Sequence, residues 1–166
     1  MDTMRNNLVD EAMKMEPDYI MFIDADQTYP ADTPEILMKH VDDGKLVVGG
    51  LTPDRDDGKP MIYYFVDEHG FLNRDKAVGR LSEVSGVSKI DGMGMGGVMV
   101  HPSVFEKLGK GPFTMQWDKQ TTSRAGEDVQ FYLNCKRFGI DVWCDTDLRY
   151  GHIVTKPMAV NYGNKP

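Results

Sequence analysis

Residues 19–23 read YIMFI, an unbroken apolar run that stops at Asp24-Ala25-Asp26. Pro17-Asp18 precede it and end whatever helix came before. A run this short and this apolar reads as a strand buried on both faces, the kind found in a parallel sheet. Its far end is equally restrictive. Two carboxylates one residue apart repel each other and resist burial, so a cation, water or donor groups must hold them.

The flanking segments extend this reading. Residues 4–15 place Leu8, Val9, Ala12, Met13 and Met15 mostly on one helical face. ADTPEILMKHVDDG is a second helix, capped by Thr33 or Asp32, with Pro34 in its first turn and Gly44 at its end. KLVVGGL is a short apolar strand, GMGGVMV a glycine-rich strand, HPSVFEKLG a short helix, GEDVQFYLNCKRFG a longer one and IDVWCD the last strand. MIYYFVD and LSEVSGVSKID have the pattern of antiparallel or edge strands. Residues 110–125 carry no periodicity and read as a long loop, and the tail 155–166 reads as irregular. Strands alternating with helices predict one α/β domain over residues 1–166 with a mainly parallel sheet flanked by helices. In open sheets of that class ligands bind beyond the carboxyl ends of strands, where Asp24, Asp26 and the segment from Asp145 to His152 fall.

Four groups of residues carry candidate chemistry. Asp24 and Asp26 suit a hard divalent cation, which takes oxygen ligands and keeps room for water and phosphate; the plainer reading is that Asp24 caps backbone amides and Asp26 starts a turn. Glu127 and Asp128 open a helix, where the macrodipole favours acids in any case, and either one is also placed to act as a general base. His152 follows DTDLRYG and offers a nitrogen ligand to the same cation, or is an ordinary hydrogen-bonded histidine. Gly92, Gly94, Gly96 and Gly97 do not have dinucleotide-binding spacing; they mark a strand that something approaches closely, another backbone or a sugar.

Charge narrows the partners. The net charge is -7 and the pI about 5.0, which argues against a nucleic-acid or anionic-membrane surface. No apolar run approaches the ~18 residues of a membrane span, and the acidic, amphipathic start is not a signal peptide. Cys135 and Cys144 read as reduced thiols of a cytoplasmic protein.

The ordered set RNNLVDEA, YIMFIDADQTYPADTPEIL, GMGMGGVMVHPSVFEKLG, GEDVQFYLNCKRFG and WCDTDLRYGHI resembles the GT-A glycosyltransferases, in their family 2-like branch, from about Arg5 to Val154. The resemblance implies a metal-dependent transfer of a sugar from a nucleotide-diphosphate donor to an acceptor hydroxyl. It implies that Asp24 lies near the ribose and diphosphate, that Asp26 binds Mn²⁺ or Mg²⁺, and that His152 completes the metal site. It makes Asp128, with Glu127 as the alternative, the base, and puts Arg5 and Asn6 near the donor nucleotide and Gly96-Gly97 beside the sugar. It also implies a loop near Trp117 that orders over the donor.

One departure from the family pattern matters. Its members begin with strand, helix and strand that hold the nucleotide base, and this chain starts after them, so the domain reads as N-terminally truncated. The Tyr19–Ile23 strand then presents an open apolar edge, which implies self-association or a partner chain there. The competing function is a non-catalytic sugar- or nucleotide-binding remnant, or a half-enzyme needing a partner. A metal-dependent phosphate-ester hydrolase is the third reading, but the sequence offers neither a nucleophile nor a second metal site for it.

Overall fold

The computed structural model describes residues 2–55, 58–64, 86–114 and 126–153. The Trp117 loop, the tail 155–166 and much of the two segments read as edge strands lie outside the described residues.

Within them the chain runs α1 (Asp2–Met13), β1 (Ile20–Phe22), β2 (Gln27–Thr28), α2 (Thr33–Asp42), β3 (Val47–Leu51), β4 (Ile62–Tyr63), β5 (Val87–Ile90), β6 (Gly92–Met93), β7 (Val98–Val100), α3 (Pro102–Leu108), α4 (Glu127–Arg137), β8 (Val142–Arg149) and β9 (Gly151–His152). Five strands form the central sheet in the order β1-β7-β3-β8-β5. The architecture is α/β, a mixed sheet flanked by helices.

The sheet is not mainly parallel. Only β3 and β8 run parallel; β1–β7, β7–β3 and β5–β8 are antiparallel. The misreading has a physical cause. Val98, Met99 and Val100 are buried on both faces of the sheet, and a strand buried on both faces is apolar throughout whichever way it runs. The glycine-rich segment is not one strand either. β6 pairs with β4, the chain turns through Gly94–Gly97, and β7 then enters the sheet between β1 and β3.

β1 is the edge strand, with β7 its one neighbour among the described residues, and its side chains are half-buried rather than fully covered. They still serve both faces. Ile20 and Phe22 pack into the core formed by the sheet with Val9 of α1, Val104 and Phe105 of α3, and Phe131 and Tyr132 of α4. Met21 packs into a second core, where Leu37 and Val41 of α2 cover Val48 and Met99. Phe113 fills the first core, stacked on Phe131 at 4.9 Å and edge-on to Phe22 at 5.5 Å. Cys135 and Cys144 are buried free thiols. Burial pushes both up to about 12, so neither is a nucleophile at neutral pH.

Two helices depart from expectation. α1 presents Arg5, Asn6, Val9 and Met13 inward, while Leu8 and Met15 are 60% and 81% exposed. The inner face is part polar because it reaches a polar cleft, so the apolar stripe alone pointed slightly the wrong way. In α2, Asp32 holds the N-cap position without a side-chain cap bond. Thr33 Oγ1 is buried without a partner among the described residues. Backbone bonds from Thr33 N to Pro30 O and Ile36 N to Asp32 O order the first turn instead. Between α2 and β8, His40 Nε2 lies 2.9 Å from Asp145 Oδ2, and the other carboxylate oxygen accepts from Asp147 N. The Asp145 carboxylate is thus occupied within the fold. No helix among the described residues is long and apolar enough to cross a membrane.

Candidate functional site

β1 ends at Phe22, and the chain turns through Ile23–Asp26 into β2, which pairs antiparallel with β9 so that Gln27 stands opposite His152. That two-residue ladder, reinforced by Ile153 N donating to Asp26 O at 2.8 Å, brings the end of the long β8 segment back to the acidic turn. α1 supplies Arg5 from one side and the N-terminus of α4 supplies Glu127 and Asp128. The result is a cleft of about 360 Å³ whose lining includes Arg5, Asp24, Gln27, Arg55, Glu127, Asp128 and His152. A larger recess of about 590 Å³ lies between the end of α1 and the start of α3, with Glu16, Asp18 and His101 in its wall. It contains none of the sequence-predicted site residues.

Arg5 links two of the acids. Its guanidinium lies 2.8 Å from Glu127 Oε1 and 3.5 Å from Asp24 Oδ1, with the arginine side chain only 18% exposed. Glu127 is therefore engaged in an ion pair. Asp128 has a different environment. Its Oδ1 accepts from Val129 N at 2.8 Å, and burial pushes its carboxyl above the usual aspartate range. The neighbouring Glu127 charge adds to this, while the Val129 N–H and Arg5 oppose it. A helix N-terminus by itself favours the ionised form; here desolvation outweighs it. A raised carboxylate is a stronger proton acceptor than an ordinary one, which separates the roles of the two acids.

Asp24 and Asp26 do not point to one place. Asp26 forms an ion pair with Arg55, whereas Asp24 Oδ2 accepts from Gln27 Nε2 at 3.4 Å and the Asp24 backbone N–H donates to Tyr29 Oη at 3.1 Å. Gln27 Nε2 is also 3.2 Å from His152 Nε2. Asp24 and His152 thus share one polar partner. No group of three His, Cys, Asp or Glu side chains placed to hold a metal occurs among the described residues. Asp24 Oδ2 and His152 Nε2 both approach Gln27 Nε2, so one carboxylate oxygen and one imidazole nitrogen face the same point, two of the several ligands a divalent cation takes; the ring's other nitrogen, His152 Nδ1, is buried without a partner among the described residues. Asp26 joins that set only if it leaves Arg55.

The remaining predicted residues fall outside the cleft or at its wall. Asn6 accepts from Phe113 N at 3.1 Å and donates to Thr114 Oγ1, so it anchors the turn after α3. Gly96 lies against Gln27 and Asp24, where a Cβ would come within 2.5 Å of the Gln27 amide. Gly97 packs on the ring of Tyr150, whose hydroxyl donates to Gly97 O at 2.8 Å and accepts from Gly50 N. Sequence reading missed Gln27, Tyr29, Arg55 and Tyr150. Only the tyrosines carried a signal, as aromatic residues beside the glycine and aspartate motifs.

The chain matches no known protein family and no curated protein. Among solved structures it is similar to the crystal structure of A197 from STIV, with a TM-score of 0.61 and 17% identity over 93% of this chain and 68% of that one. At that identity the likeness shows a shared α/β fold and nothing further.

Proposed function

We propose that this chain is a GT-A-type, metal-dependent glycosyltransferase that moves a sugar from a nucleoside-diphosphate donor to an acceptor hydroxyl. The observation that carries the reading is the meeting of Arg5, Asp24, Glu127, Asp128 and His152, from α1, the β1 end, α4 and β9, in one cleft at the carboxyl end of β1. That position is where open α/β sheets bind ligands. Asp24 and His152 would hold the cation with Asp26, once the aspartate exchanges Arg55 for it. When bound, Mn²⁺ or Mg²⁺ supplies Lewis-acid stabilisation of the departing diphosphate. Arg55, which lines the same cleft, would then be free to pair with a phosphate. Asp128 accepts the proton of the acceptor hydroxyl at its carboxylate as that oxygen bonds to the anomeric carbon. Arg5 keeps Glu127 and Asp24 fixed while this happens.

The pairing of Asp26 with Arg55 favours the alternative, a non-catalytic sugar- or nucleotide-binding protein. Product analysis separates the two. Incubation with UDP- and GDP-sugars, Mn²⁺ and a panel of saccharide acceptors is expected to give a glycosylated acceptor at a rate above hydrolysis. Nucleotide-sugar binding with no transfer to any acceptor would favour the non-catalytic reading.

A further inference from the structure

Two adjacent acids, Glu127 and Asp128, open α4 behind Gly126. Successive residues of a helix point about 100° apart, so the two cannot serve one acceptor hydroxyl equally. Asp128 folds back over the start of its own helix. Its Oδ1 accepts from Val129 N at 2.8 Å, and a Cβ on residue 126 would come within 2.7 Å of that oxygen, so the glycine is what admits it. No hydrogen bond among the described residues engages Oδ2, and Asp128 lines the cleft. Glu127 turns instead to α1. Its Oε1 accepts from Arg5 Nη1 at 2.8 Å, with the two side chains only 17% and 18% exposed. A proton taken up by Glu127 would break that ion pair.

The ionisable groups facing Asp128 come from two helices. On α4 they are Glu127 and Tyr132, whose phenol burial keeps protonated while it donates to Met95 Sδ at 3.5 Å. From α1 comes Arg5. Asp24, Asp54, Arg55 and His152 line the same cleft. Burial is the largest influence on the Asp128 carboxyl; beyond it, the Glu127 charge disfavours ionisation and the Arg5 charge favours it.

We propose that Glu127 is a positioning residue and not the base: clamped by Arg5 beside Asp128, it fixes a charge pair that sets how strongly Asp128 takes the acceptor's proton. This rests on the transferase reading above. In that step the acceptor oxygen bonds to the anomeric carbon. The bond from that carbon to the diphosphate oxygen breaks, its electron pair leaving with the diphosphate, and the hydroxyl proton passes to Asp128.

The test uses the full chain with ¹³C-labelled aspartate. Carboxyl NMR follows the Asp128 titration, its signal assigned by its loss in Asp128→Asn. Glu127→Gln keeps an oxygen for Arg5 but removes the negative charge, so the Asp128 midpoint is expected to fall by about one pH unit. Arg5→Met removes the positive charge, and the midpoint is expected to rise by a similar amount. The double variant is expected to return toward the wild type. Opposite signs are the diagnostic. If the pair only held the helix in place, either single variant would expose Asp128, and both midpoints would fall toward the ordinary aspartate value of about 3.9. The acid limb of kcat/KM is expected to move with the NMR midpoint, and Glu127→Gln is expected to keep its plateau kcat within about 10-fold of wild type. Midpoints that fall together, or a Glu127→Gln midpoint that does not move, overturn the proposal. So does a Glu127→Gln protein that loses transfer as fully as Asp128→Asn, which would make Glu127 the base. A wild type that transfers sugar to no acceptor would instead overturn the transferase reading and the proton step with it, while opposite NMR shifts would still assign the charge pair its hold on Asp128.

Discussion

Asp128→Asn is expected to abolish sugar transfer while making the protein more stable. The substitution keeps the shape and the acceptor oxygen that meets Val129 N, but the amide cannot take a proton. Loss of a general base costs about 10²- to 10⁴-fold in kcat. The stability effect follows from the same carboxyl. Burial raises its folded-state pKa above the unfolded value, so its favourable contribution is complete only below the ordinary aspartate pKa of about 3.9. It is lost as pH rises through the raised folded value. At neutral pH the wild type holds a poorly solvated charge that the variant lacks. Thermal melts should therefore coincide for the two proteins at acid pH and separate as pH rises, with the variant melting higher. A variant that melts lower at pH 7 would contradict the cost of burying this carboxylate, and one that retains transfer would remove Asp128 from the role of base.

Gly97→Ala is expected to be among the most damaging single substitutions in the sheet. Gly97 has φ +77°, a backbone region that side chains avoid, and a Cβ there would enter the Tyr150 ring. Its N–H donates to Phe22 O at 2.8 Å and its carbonyl receives the Tyr150 hydroxyl, so a shift to relieve the clash breaks the junction between β1, β7 and β8. Backbone strain and overpacking each cost about 1–3 kcal/mol, and together about 3 kcal/mol or more. For a chain of this size that is a fall in melting temperature of ~6–12 °C. Gly44→Ala is the control. It has φ +89° but nothing within 4 Å of the added methyl, so only the backbone component, about 1–2 kcal/mol, should appear. Equal losses at the two sites would mean that the Tyr150 contact is unimportant.

Much of this was legible from residue order, and the exceptions share a cause. α2 and α4 announced themselves through Pro34, their buried residues and the basic residues of their last turns. The end of β1 announced itself through Asp24, because a carboxylate resists continuing a buried strand unless partners satisfy it, as His40 and the Asp147 N–H do for Asp145 in β8. Local signals of that sort depend on a residue and its near neighbours. Strand direction does not: Val98-Met99-Val100 is apolar because both faces are covered, and nothing in the triplet says it runs against β1 and β3. The Gln27–His152 register joins residues 125 apart through a ladder too short to leave a periodic trace. The ion pairs of Arg55 with Asp26 and of Arg5 with Glu127 are likewise products of the assembled fold. The candidate acids and His152 could be named in advance; the partners that orient them could not.

The central claim is a cation-dependent diphosphate site at the Asp24–Asp26 turn. Calorimetric titration of UDP, and separately GDP, into the protein with and without Mn²⁺, repeated with Asp26→Ala, tests it directly. The expected result is nucleotide binding that requires both the cation and the Asp26 carboxylate, with the Asp26→Ala protein silent under every condition. Binding of equal strength without Mn²⁺, or undiminished in Asp26→Ala, or absent from the wild type throughout, would contradict it.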